Sequence, residues 1–222
     1  MSPLANELKS LQEEIDKMWE LVILQLKKAR QSLISFDRDL AREVVLKEKR
    51  VNSYELAIDR DCENILALFC PVAIDLRFVL AILKINTNLE RIGDIAEGIA
   101  KYVLSTDERF EHSLLEQTQL LKMYDECMIM LQESQTALDS EDTALARSIF
   151  KKDEFLDHIN INAIKIISNN IKENPSNVEQ GLYAISIIRK LERVGDQIKN
   201  ISEEIIFFIE AKVLKHQSTT KE

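Results

Sequence analysis

Apolar residues recur at steps of three and four along nearly the whole chain, which is the period of an amphipathic helix. Val51, Tyr54, Ile58, Cys62, Ile65 and Phe69 form one such stripe, and Phe78, Ile82, Ile85, Leu89, Ile92, Ala96, Ile99 and Val103 form the next. The interruptions are short and carry the chemistry of helix ends. Ser2-Pro3 reads as an N-cap followed by proline at the first helical position. Ser35-Phe36-Asp37 and Ser140 to Thr143 break the pattern, and Cys70-Pro71 and Asn174-Pro175 stop helices because proline has no N–H for the ladder. Ser105 with Glu108, and Ser176 with Glu179, have the spacing of capping boxes. These breaks predict six long helices, near 4–34, 38–69, 74–104, 108–138, 142–172 and 177–214.

Only 4 glycines and 3 prolines occur in 222 residues, too few turn formers for a sandwich, a barrel or most doubly wound sheets. Helices near 30 residues exceed the usual mean of about 12 and need bundle packing to persist. The six helices are two copies of three. Leu33, Ser35, Asp37, Leu40, Ala41, Arg42 and Lys47 recur 105 residues later as Leu138, Ser140, Asp142, Leu145, Ala146, Arg147 and Lys152. Leu89-Glu90-Arg91-Ile92-Gly93-Asp94 recurs 102 residues later as Leu191-Glu192-Arg193-Val194-Gly195-Asp196. The expected fold is all-α, two tandem three-helix bundles of the spectrin-repeat kind, over residues 1–106 and 107–222.

The formal net charge of −9 works against nucleic acid and anionic lipid, and no local basic patch overrides it. Two basic clusters, Lys27-Lys28-Ala29-Arg30 and Lys47-Glu48-Lys49-Arg50, read as solvated or as contacts for an acidic partner. No apolar run nears the roughly 18 residues of a membrane span, and the N-terminal residues resemble no leader, so a cytosolic protein is expected. Cys62, Cys70 and Cys127 lack metal-site spacing and are expected to be buried free thiols. Trp19 shares a helix face with Ile15, Val22 and Leu26, which points to a core or inter-bundle role.

Candidate chemistry lies in the duplicated element. Gly93 and Gly195 sit inside helices, where each costs about 1 kcal/mol relative to alanine, so something there needs the absent side chain. Each precedes an aspartate four residues after a glutamate: Glu90 with Asp94, and Glu192 with Asp196. Glu90, Asp94 and Glu97 fall within roughly 60° of one another on the helix and point away from its apolar seam. The preceding helix of each copy offers a second row, Glu48, Asn52, Glu55 and Asp59 in the first and Asp153, Asp157 and Asn160 in the second. Facing rows of carboxylates suit hard or intermediate divalent ions, which relieve the repulsion, and the glycines would leave room for them. The alternative is a pair of solvated acidic faces with ordinary ion pairs such as Glu97 with Lys101 and Asp196 with Lys199. Glu154 and His158 read as a surface pair; His112 and His216 have no evident partners.

At the doubled Leu-Glu-Arg-Ile/Val-Gly-Asp element the sequence resembles the PhoU family of phosphate-uptake regulators. The likeness extends through Val51-Asn52-Ser53-Tyr54-Glu55-Leu56-Ala57-Ile58-Asp59, Pro71-Val72-Ala73-Ile74-Asp75-Leu76-Arg77 and Asn200-Ile201-Ser202-Glu203-Glu204. The resemblance implies multinuclear iron or zinc clusters on Glu/Asp-x-x-x-Asp motifs, matched at Glu90/Asp94, Asp153/Asp157 and Glu192/Asp196. The fourth motif departs from the pattern, with Glu48 followed by Asn52, whose neutral amide is the weaker ligand. It also implies a negative regulator of the phosphate-starvation response. Such a regulator works between the nucleotide-binding subunit of the phosphate ABC transporter and a sensor histidine kinase, held at the inner membrane face through these partners and often as a homodimer. A carboxylate-bridged di-metal enzyme is the rival class, but the usual Glu-x-x-His ligand motif is absent, since Arg109, Phe155 and Val213 stand three before the histidines. A purely structural scaffold would leave both helical glycines unexplained.

Overall fold

The computed structural model describes residues 2–214, and His216 lies outside them. Helix α1 spans Pro3–Ser35, α2 Arg38–Phe69 and α3 Ala73–Ser105, and these three pack on one another as the first bundle. The second comprises α4 (His112–Gln117), α5 (Leu120–Asp139), α6 (Thr143–Glu173) and α7 (Val178–Glu210). Among the described residues there is no strand.

Helix ends follow their local chemistry. The Ser2 hydroxyl accepts the Ala5 N–H at 3.2 Å. Asp37 accepts the N–H groups of Asp39 and Leu40, and Asp142 repeats the arrangement with Ala144 and Leu145, each cap satisfying two orphan donors. Cys70 ends α2 in the left-handed region and is exposed. Only Cys62 and Cys127 are the buried thiols expected of all three.

The expected helix over 108–138 is instead two. Thr118 is buried and turns its hydroxyl back onto the Leu114 and Leu115 carbonyls, while Gln119 adopts φ 54°. The break lets Leu114 and Leu115 reach the same core as Leu120, Met123 and Tyr124, which a continuous helix would place on different faces. Neither capping box forms. Ser105 is still helical and bonds the Lys101 carbonyl, and Ser176 lies in a 3₁₀ turn over Pro175–Asn177. The last helix stops at Glu210, with Ala211 left-handed, rather than near 214.

The bundles meet through α1 against α5 and α3 against α7. Trp19 is fully buried and its Nε1–H donates to the Leu131 carbonyl at 3.1 Å; Tyr124 is fully buried and its hydroxyl donates to the Leu26 carbonyl at 3.0 Å. Both pairs obey the 105-residue offset, Trp19 with Tyr124 and Leu26 with Leu131, so the seam is a reciprocal contact about a pseudo-twofold axis. Arg30, from a cluster read as solvated, bridges the seam to Asp125 at 2.8 Å. Along α3 and α7, Phe78 meets Phe208, Lys84 meets Glu204 and Tyr102 meets Tyr183, an antiparallel pairing whose middle lies at Gly93 and Gly195.

Candidate functional site

The acidic rows of α2 and α3, and of α6 and α7, face one another as the spacing predicts, but not wholly outward. Asp94, Asp157, Asp196 and Asn52 are exposed, and Glu55, Glu90 and Glu192 half-buried. Glu48 and Asp153 are buried, at 5% and 3% exposure. They take core positions because each sits four residues after and three before a buried apolar residue: Val44 and Val51 around Glu48, Ile149 and Leu156 around Asp153.

The glycines make that burial possible. A Cβ on Gly93 would lie 3.2 Å from Val51 Cγ1 and 3.3 Å from Glu48 Oε2; one on Gly195 would lie 2.5 Å from Leu156 Cδ1 and 2.9 Å from Asp153 Oδ1. The absent side chain therefore admits the facing carboxylate and its apolar neighbour, rather than directly clearing space for an ion. Gly195→Ala is expected to destabilise by about 1–2 kcal/mol, the overpacking cost exceeding the gain in helix propensity. Gly93→Ala, whose contacts are looser, should be near neutral. Chemical denaturation of both variants checks this, and equal stabilisation of the two would contradict it.

Burial and like charge act together at both sites. Burial pushes the Glu48 carboxyl up to about 7, helped by Asp94, Glu97 and Glu90 and opposed by the Gln25 amide, which stands close to Glu48 but outside hydrogen-bond geometry. Burial first and neighbouring carboxylates second also raise Glu55, Glu90, Glu192 and Asp196. Asp153 is raised by burial but held back by Lys199, whose Nζ stands 3.0 Å from Oδ2. Lys199 thus pairs across the helices with Asp153, not with Asp196 on its own helix. The Glu97 and Lys101 pair forms as expected, at 2.5 Å. Two polar residues outside the sequence-based set serve the first site: buried Gln25, and Asn86, whose amide donates to Asp59 Oδ1 at 2.8 Å and to the Glu55 carbonyl at 2.9 Å.

Both Glu48 oxygens and Asp153 Oδ1 are buried without a hydrogen-bond partner. Unsatisfied carboxylate oxygens beside further carboxylates are the donor chemistry of a hard or intermediate cation, so the donor types, though not yet their positions, suit such an ion. Among the described residues no three acidic, histidine or cysteine side chains converge closely enough to ligate it as they stand; the longer carboxylates would have to turn inward. Apart from the rows, His158 is exposed and contacts Asn162, and His112 pairs with Glu116 on the surface.

The sequence model of the PhoU domain matches residues 4–103 and 120–205. The phosphate-specific transport system accessory protein PhoU homolog 1 of Thermotoga maritima is 31% identical over 211 residues, spanning 95% of this chain and 90% of that protein. The accessory protein PhoU of Escherichia coli K12 is 30% identical over 210 residues, 95% of this chain and 86% of that protein. Among solved structures, PhoU from Pseudomonas aeruginosa superposes with a TM-score of 0.86 at 29% identity, covering 94% of this chain and 99% of that one. The phosphate transport system regulatory protein PhoU from Streptococcus pneumoniae gives 0.83 at 29% identity, covering 95% and 99%.

Proposed function

The chain belongs to the PhoU family, and from that premise we propose that it regulates phosphate uptake as an adaptor, holding the phosphate-starvation response down when phosphate is plentiful. The observation that carries this reading is the match of both bundles, in order, to relatives named as accessory or regulatory proteins of phosphate transport. Its partners in this reading are the nucleotide-binding subunit of the phosphate ABC transporter and a sensor histidine kinase, with a second copy of the chain as a homodimer. No helix among the described residues is long and apolar enough to cross a membrane, which accords with attachment through protein partners.

The acidic rows are proposed to hold a transition metal, iron or zinc. Glu48, Glu55, Glu90 and Asp94 would hold it in the first bundle, with Asn52 at its edge; Asp153, Asp157, Glu192 and Asp196 would hold it in the second. The ion would neutralise the like charges and tie α2 to α3 and α6 to α7, stiffening the faces a partner reads. An enzyme is disfavoured because the outer carboxylates are open to water rather than sealed in a dry chamber.

Affinity capture from phosphate-replete cells is expected to recover the transporter's nucleotide-binding subunit or the sensor kinase. Recovery of neither would refute the adaptor reading. Elemental analysis of Glu90→Ala and Glu192→Ala should show metal lost from the corresponding bundle, and unchanged content would refute the cluster.

A further inference from the structure

We infer that Lys199 is a tethered counter-ion that stands in the second bundle where the first requires a bound cation, so that metal uptake by this chain is led by the first bundle. The inference rests on the metal reading above and concerns which site takes the ion.

The two sites are equivalent by position. The vacant Cβ places of Gly93 and Gly195 face Glu48 with Val51 and Asp153 with Leu156, the same two positions of the facing helix at an offset of 105 residues. Their counter-charges differ. In the second bundle the Lys199 ammonium bonds Asp153 Oδ2 at 3.0 Å, leaving only Oδ1 without a partner. The residue 102 positions earlier, in the first bundle, is Glu97, an anion whose own partner is Lys101 on the outside of α3. Glu48 therefore has no ammonium beside it, and neither of its oxygens has a hydrogen-bond partner. Its near neighbour is the neutral amide of Gln25, and Met130 stands at the corresponding place in α5.

An ion entering the second site must displace a charge-assisted hydrogen bond and accept a positive charge at close range. Lys199 is 42% exposed, so its ammonium can swing into water, and the site is weakened rather than closed. In the first site no ion pair engages Glu48; the Arg91 guanidinium acts on Glu55 and Glu90 as Arg193 acts on Glu192 and Asp196 in the second, so it does not distinguish the two sites. Asn52 costs that site one charged ligand, but Glu48 supplies two unengaged oxygens in a buried setting. The uncompensated burial of Glu48 makes a cation there more valuable than at Asp153, which already has one.

Equilibrium dialysis of the metal-stripped full chain against zinc alone tests this. The wild type should show one tight site, lost in Glu48→Gln and kept in Asp153→Asn. Lys199→Met should tighten the second site by roughly 10–100-fold, the range over which groups bonded to metal ligands tune affinity; Lys199→Arg, which keeps the cation, should leave it weak. In chelator, where no metal contributes, Glu97→Lys should raise the melting midpoint by giving Glu48 its counter-ion. Tight uptake that Asp153→Asn abolishes and Glu48→Gln spares overturns the inference alone. Unchanged second-site affinity in a folded Lys199→Met also overturns it. Absence of zinc uptake by every variant overturns the metal reading and the inference with it.

Discussion

Trp19→Ala should lower the stability of the metal-free protein by about 3–5 kcal/mol, the range for truncating a buried tryptophan. The ring is fully buried at the seam between the bundles, and its N–H is the donor to the Leu131 carbonyl of α5. The substitution leaves a cavity and removes one half of the reciprocal contact that Tyr124 completes with Leu26. Tyr124→Phe keeps the ring and loses only the hydroxyl, so its cost should be nearer about 1 kcal/mol, a typical net hydrogen bond. Urea denaturation gives both values. The larger variant should also lower the cooperativity of unfolding, because it weakens the α1–α5 part of the seam while α3 against α7 still joins the bundles. A loss below about 1 kcal/mol for Trp19→Ala would show that the seam rests on other contacts.

Most of the helical layout was legible because its breaks fall at residues that act locally. Ser2, Asp37, Asp142, Pro71 and Pro175 begin or end helices by their own hydrogen bonds or by lacking a donor. The break at Thr118 and Gln119 was not legible. Neither residue is a strong turn former, and the kink is imposed by the need to bury Leu114 and Leu115 together with Leu120. The same division runs through the site. The i, i+4 carboxylates of α3 and α7 follow from helical period alone. The burial of Glu48 and Asp153 is written in the apolar spacing around them, Val44 to Val51 and Ile149 to Leu156, but their charge by itself favours the solvent side. Lys199 is three residues from Asp196 on one helix, and only the packing of α6 against α7 shows that it serves Asp153 instead. Gln25 comes from α1, an element whose part in the first site no local pattern discloses. Trp19 and Tyr124 are repeat mates that differ in residue type, so the apolar face around Trp19 discloses its inter-bundle role but not its pairing with Tyr124.

The buried carboxylate of Glu48 should make the metal-free protein less stable as pH rises, the reverse of a salt-bridged acid. Its folded value, about 7 against an ordinary 4.5, means that between these two the folded chain holds a proton the unfolded chain has released. Stability from this group is therefore complete below about pH 4.5, declines as pH rises, and is gone above about pH 7. Glu48→Gln mimics the protonated acid without its titration. At pH 8 in chelator it should be more stable than the wild type by about 3 kcal/mol, while at pH 4.5 the two should coincide. Glu55, Glu90, Glu192 and Asp196 are raised as well, so a residual decline of the same sign should persist in the variant. Asp153→Asn should not reproduce the gain, since it strips Lys199 of its partner. Denaturant midpoints from pH 4.5 to 8 decide the matter. A variant no more stable than the wild type at pH 8 would mean that Glu48 reaches solvent or a counter-ion in the folded chain, and the demand for a cation at the first site would lose its physical basis.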